Sequence, residues 1–142
     1  MQKIGAIPYI KFDNFYALPQ RAHDTDVGAD VFAADTQVIK ARSVGVIGLG
    51  FGIKLPKGFM ACMYPKSGLT SKGLLSTLPP VDPGYTGEVH AILYNFTDED
   101  ITIERGQKVA QMIISRVYID ESIEAKTNES RGQGAFGSTG KF

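Results

Sequence analysis

The chain has one cysteine, Cys62, and no tryptophan among its 142 residues. A single cysteine forbids an intrachain disulfide and a structural zinc site built on thiolates. A reducing, cytoplasmic setting is therefore expected. Net charge is lacking too, since fifteen Lys and Arg balance fifteen Asp and Glu. That balance removes the bulk attraction on which non-specific nucleic-acid or membrane binding depends. It leaves room for a small basic site facing a phosphorylated ligand. No apolar run approaches the ~20 residues of a membrane span. The N-terminus, MQKIGAIPYIKF, has neither a signal-peptide apolar region nor a cleavage site, and reads as a first strand. His23 and His90 lack metal-ligand spacing, and GxSxG, HExxH, CxxC and Walker A patterns are all missing. No segment longer than ~12 residues keeps a helical period.

What is present is a β-type chain. With 43% hydrophobic residues it can bury a core. Short runs rich in Val, Ile, Phe and Tyr fall at 4–12, 29–33, 43–48, 51–55, 59–64, 88–96, 101–103 and 109–119. Scattered glycines and prolines punctuate them, which predicts a sandwich, jelly roll or small barrel. In VHAILYNF, Val89, Ala91, Leu93 and Asn95 fall on one face and His90, Ile92, Tyr94 and Phe96 on the other. Both faces are largely apolar, so that strand is expected to be covered on both sides. Cys62, inside FMACMY, reads as a buried small hydrophobe. One helical turn is expected at 67–72.

Five polar or glycine-rich stretches interrupt this pattern. DTDVGADVFAAD (24–35) carries Asp26, Asp30 and Asp35, whose carboxylates suit either metal-bound water or a solvated turn. YPKSGLTSKG (64–73) puts a lysine, a hydroxyl and free N–H groups together. That is an anion site, or a plain helix cap at Ser67. LPPVDPGYTGEVH (78–90) reads as a stiff hairpin projecting Asp82 and Tyr85 from its tip, with Glu88 opening the next strand. Asp82 there is a candidate general base or a surface turn residue. In RGQKVAQMII (105–114), Lys108 and Gln111 have opposite parity and should not share a face. Gln111 needs a hydrogen-bond partner if buried. RGQGAFGSTG (131–140) offers the Arg131 fork, the Phe136 face and the donors of Gly137, Ser138 and Thr139.

In this order and spacing, DVGADV, PKSGL, VDPGYTGEV, GQKVAQ and RGQGAFGSTG resemble the five motifs of the trimeric dUTPases over residues ~20–142. The resemblance implies an all-β, jelly-roll-like β barrel that assembles as a homotrimer, with a flexible C-terminal tail. Residues 1–130 would form the barrel and 131–142 a glycine-rich lid. It implies a dUTP diphosphatase, converting dUTP and water to dUMP and pyrophosphate with Mg2+ on the triphosphate. Asp82 would activate the attacking water, and Tyr85 would lie under the deoxyribose. The 76–82 hairpin, with Ser76, Pro80 and Val81, and His90 would read uracil, mainly through backbone groups. Lys66, Ser67, Gly68 and Gln111 would approach the phosphates. Arg131, Phe136, Gly137, Ser138 and Thr139 would close over them, and Asp30 would hold the metal through its water shell.

The chain departs from the family pattern in four places. Lysine stands at 66 and 108 where the family usually has arginine, and loses the bidentate fork. Thr86 follows the tyrosine in place of arginine. Pro79 and Pro80 remove two N–H donors from the base-reading hairpin. The related dCTP deaminases place a catalytic Glu where this chain has Leu93. A third reading is a regulatory protein of this fold that binds a repressor partner, as phage-encoded members do. Direct nucleic-acid and membrane binding are not expected.

Overall fold

The computed structural model describes residues 2–142. It is nearly all β, with eleven strands and one four-residue helix among the described residues. In chain order the strands are β1 (Tyr9–Lys11), β2 (Ala29–Phe32), β3 (Gln37–Ile39), β4 (Val44–Gly48), β5 (Phe51–Ile53) and β6 (Phe59–Tyr64). The helix α1 (Ser67–Thr70) follows. Then come β7 (Leu74–Ser76), β8 (Pro80–Val81), β9 (His90–Asn95), β10 (Ile101–Ile103) and β11 (Lys108–Arg116).

These strands form two main sheets, ordered β2-β11-β6-β8 and β4-β9-β7, with the pairs β1-β5 and β3-β10 beside them. Every pairing is antiparallel. The inward side chains of both sheets meet in one core around Val31, Ile47, Leu49, Phe51, Met63, Leu93 and Val109. This is the jelly-roll-like architecture expected from the sequence.

Several expectations need correction. The first run is a strand only at 9–11, because Gly5 takes a positive φ of 84° and Pro8 has no N–H to pair. Strands β3, β7 and β8 were too short to carry a readable alternation. β8 contains Pro80, which pairs with Cys62 at the sheet's edge, where proline is tolerated. Strand β9 is fully covered on one face and half-covered on the other within the single chain. Ala91, Leu93 and Asn95 are buried, while His90, Ile92 and Tyr94 are half-buried. Beside that second face, Val44, Val46 and Leu75 on the neighbouring strands are exposed.

Strand β11 corrects the parity argument. Its register against β2 slips between Lys108 and Ala110, so Val109 and Ala110 both point inward. The bulge resets the two-residue count. Lys108 and Gln111 therefore emerge on the same side, above Asp30, which Gln111 faces in register.

Asn95, on the inward face of β9, is fully buried and acts as a corner bolt. Its amide nitrogen donates to the carbonyls of Ile39 (3.1 Å) and Glu99 (2.8 Å), and its oxygen accepts from Thr97 N–H (2.9 Å). Cys62 is buried as expected, and burial pushes its thiol pKa up.

Candidate active site

The five motifs gather around two cavities. The larger, about 350 Å³, is lined by Pro80, Val81, Asp82, Tyr85, His90 and Phe136, among others. The smaller, about 330 Å³, is lined by His23, Asp26, Gly28, Asp30, Lys66 and Gln111, among others.

The larger cavity is built on the turn after β8. Tyr85 N–H donates to the Asp82 carbonyl at 3.2 Å, and Gly84 takes the positive φ of 86° that closes the turn. Asp82 is left half-exposed at the rim. Tyr85 does not project from the tip, contrary to the sequence reading. It is buried, 9% exposed, and its hydroxyl donates to the Glu88 carbonyl at 2.7 Å. Burial, followed by the nearby Glu88 charge, raises its pKa despite Arg131, so the phenol stays neutral. Gly87 makes this seat possible, since a Cβ there would stand 2.5 Å from the Tyr85 hydroxyl.

The tail lies over this cavity. Thr86 N–H donates to the Gly132 carbonyl at 2.6 Å and Gly132 N–H to the Gly84 carbonyl at 3.1 Å. Arg131 Nε stands 3.3 Å from Asp82 Oδ2. The Phe136 ring meets the His90 imidazole edge-on, centroids 5.3 Å apart. Phe136 holds a positive φ of 50°, uncommon for a bulky residue and set by the turn that presents its ring. Arg131 also donates weakly to the Gly134 carbonyl and the Ser138 hydroxyl, at 3.3 and 3.4 Å. Gly137, Ser138 and Thr139 lie beyond, exposed.

In the smaller cavity two lysines converge on one carboxylate. Asp30, 9% exposed, pairs with Lys66 and, at 3.2 Å, with Lys108. Burial pushes its pKa up, but hydrogen bonds from Lys66 and Lys108 outweigh that and hold it below the usual carboxylate value. The Gln111 amide donates to the Pro65 carbonyl at 2.9 Å, which answers its need for a partner. Its oxygen sits where a Cβ on Gly28 would be, 2.2 Å away, so only glycine fits there. Ser67 and Gly68 begin α1, exposed, with Lys66 as the cap residue. The cap is not Ser67, and no side chain closes it.

Ser67, Gly68, Gly137, Ser138 and Thr139 line neither cavity, and Ser76 lies apart from both as well. It is buried on β7, and its hydroxyl donates to the Thr77 carbonyl at 3.0 Å. The residue passed over by sequence reasoning is Glu88. Its carboxylate lines the larger cavity and accepts from Gly50 N–H (2.8 Å) and the Asn14 amide (2.9 Å). Position gave no warning of this, because Asn14 and Gly50 lie far from it in sequence.

No group of three His, Cys, Asp or Glu able to hold a metal occurs among the described residues. Asp30 is already engaged by two lysines. This donor set does not make a protein cage for a bare ion. It fits a cation that arrives on phosphate oxygens, with Asp30 as an acceptor for its bound water.

The chain matches known proteins over most of its length. A family profile described as dUTPase matches residues 15–140. The deoxyuridine 5'-triphosphate nucleotidohydrolase of Rickettsia bellii is 41% identical over 140 residues, 93% of each chain. That of Clostridium acetobutylicum is 40% identical over 136 residues, 92% of this chain and 93% of its own. A mutant dUTPase from phage phi11 of S. aureus, described as coordinating a structural Mg(II) ion, superposes with a TM-score of 0.77. It is 22% identical and covers 87% of this chain and 99% of its own, a likeness of fold alone.

Proposed function

The chain belongs to the dUTPase family, and from that premise we propose that it hydrolyses dUTP to dUMP and pyrophosphate. The product would serve dTTP synthesis, and removal of dUTP would limit uracil in DNA. The observation that carries the reading is the larger cavity. There a half-exposed carboxylate, Asp82, stands at the rim beside a buried aromatic floor, Tyr85.

Each residue has a defined task. Asp82 accepts the proton of the attacking water. Tyr85, fixed by its hydroxyl bond to Glu88, packs under the sugar and excludes a 2′-hydroxyl. Pro80, Val81 and His90 border the base; Pro80 has no N–H, so it can offer only its carbonyl. Lys66, Lys108 and Gln111 face the phosphates, with Ser67 and Gly68 at the neighbouring helix start. On substrate arrival Arg131 leaves Asp82 for the terminal phosphate, and Phe136 moves over the base with Gly137, Ser138 and Thr139 alongside. Magnesium bound to the triphosphate supplies positive charge at the reacting phosphate, and Asp30 orients its water.

The assembly proposed is a homotrimer. Two separate cavities on one chain, one fit for base and sugar and one for phosphates, support a site completed between subunits. The exposed Val44, Val46 and Leu75 support burial of that sheet face. No helix is long and apolar enough to cross a membrane among the described residues; the setting proposed is the cytoplasm. The deaminase reading has no support, because Leu93 is fully buried in the core and offers no base.

The test is pyrophosphate release from dUTP, dCTP, dTTP and UTP in parallel. Release from dUTP alone is expected. Absence of release from dUTP refutes the reading.

A further inference from the structure

Glu88 uses all three of its oxygens. Oε2 accepts from Gly50 N–H at 2.8 Å and from the Asn14 amide at 2.9 Å. Oε1 stands 3.6 Å from His90 Nε2. The main-chain oxygen accepts the Tyr85 hydroxyl at 2.7 Å. The side chain is 24% exposed, and His90 is its one ion-pair partner within 4.0 Å among the described residues.

The surroundings are shaped for this carboxylate. A Cβ on Gly48 would lie 2.6 Å from Oε2. Gly50 takes a positive φ of 72°, which turns its N–H to Oε2. Asn14 in turn is braced by Asp35 Oδ2 at 2.9 Å and by Arg105, which donates to its carbonyl at 2.8 Å. A rigid strut thus runs from the loop before β2 to the floor of the larger cavity.

The geometry points to Glu88 as a positioning residue for sugar discrimination, acting through Tyr85 and His90 and not on the reacting atoms. Its carboxylate anchors the start of β9, so its carbonyl is fixed beneath the Tyr85 hydroxyl. The phenol ring then cannot tilt to admit a 2′-hydroxyl. The second oxygen stands beside the His90 ring that meets Phe136. This inference rests on the dUTP reading above.

The test measures kcat and KM for dUTP and UTP in the wild type, Glu88→Ala, Glu88→Gln and Asn14→Ala. Subunit assembly and thermal melting are followed alongside. Glu88→Ala is expected to lower the dUTP-over-UTP ratio of kcat/KM by about tenfold, the scale of one mis-seated packing contact. Most of that change should come from improved use of UTP. Glu88→Gln keeps an acceptor for Gly50 and Asn14 and should restore the ratio. Asn14→Ala, remote from the cavity, should show a smaller loss in the same direction.

An unchanged ratio in folded Glu88→Ala overturns the inference, as does a Glu88→Gln ratio as low as that of alanine. If Glu88→Ala does not fold, an unchanged ratio in Asn14→Ala overturns it. A wild type that hydrolyses no dUTP overturns the proposed function and this inference with it. A wild type that prefers dUTP, with unaltered variants, overturns this inference alone.

Discussion

Arg131 and Asp82 are 49 residues apart in sequence, yet the guanidinium Nε and a carboxylate oxygen stand 3.3 Å apart. The group proposed to take the water's proton is thus capped by the group proposed to bind the terminal phosphate. The pair is half-exposed and contributes little to stability. Its significance is order of events, because a triphosphate competes with Asp82 for Arg131.

Asp82→Asn should cut turnover by about 2–4 orders of magnitude while leaving nucleotide binding in place. The amide keeps the size and the turn but cannot accept a proton. Single-turnover hydrolysis and calorimetric binding of a non-hydrolysable dUTP analogue check it. Near wild-type rates would reduce Asp82 to a turn residue.

Deleting residues 131–142 should leave assembly and melting temperature nearly unchanged, because the tail is mostly exposed and adds little to the core. Hydrolysis should fall strongly, and triphosphate binding should weaken more than dUMP binding. A truncated protein as fast as the full chain would show that the tail is only a linker.

Asp30 makes stability depend on acid. Its folded-state pKa lies below the ordinary 3.8, through Lys66 and Lys108 and against the opposing effect of burial. A carboxyl depressed on folding stabilises fully above its unfolded value, and loses that contribution as pH falls through the folded one. The wild type should therefore melt higher than Asp30→Asn at neutral pH. The gap should close only below about pH 4. Melting curves at several pH values read this directly, and a constant gap would contradict it.

Much of the fold was legible because strands with a clear alternation announce themselves. Strand β9 did so through its alternating faces and β4 through Val and Ile set against glycines, while β6, FMACMY, stood out as a continuous apolar run. Strands β7 and β8 did not, since two or three residues carry no period and Pro80 argues against a strand. The motif residues were legible as residue types but not always as geometry. Tyr85 looked like a hairpin tip because its seat under Glu88 depends on a hydroxyl bond that no periodicity reveals. Residue parity puts Lys108 and Gln111 on opposite faces, because a bulge leaves no mark in a count of apolar residues. Glu88 was silent because its partners, Asn14 and Gly50, are brought to it only by the folded chain.

The bulge in β11 bears on what kinds of change could make or unmake the smaller cavity. Along a regular strand, positions 108 and 111 lie on opposite sides whatever amino acids occupy them. No exchange of side chains alters that; only adding or removing a residue does. The meeting of Lys108 and Gln111 above Asp30 is thus written in the length of the chain and not in its alphabet. A single-codon insertion between Ala110 and Gln111, with the bulge kept, would separate them while leaving both in the sequence. A motif search would still find its lysine and its glutamine, in a protein whose cavity had lost one of them.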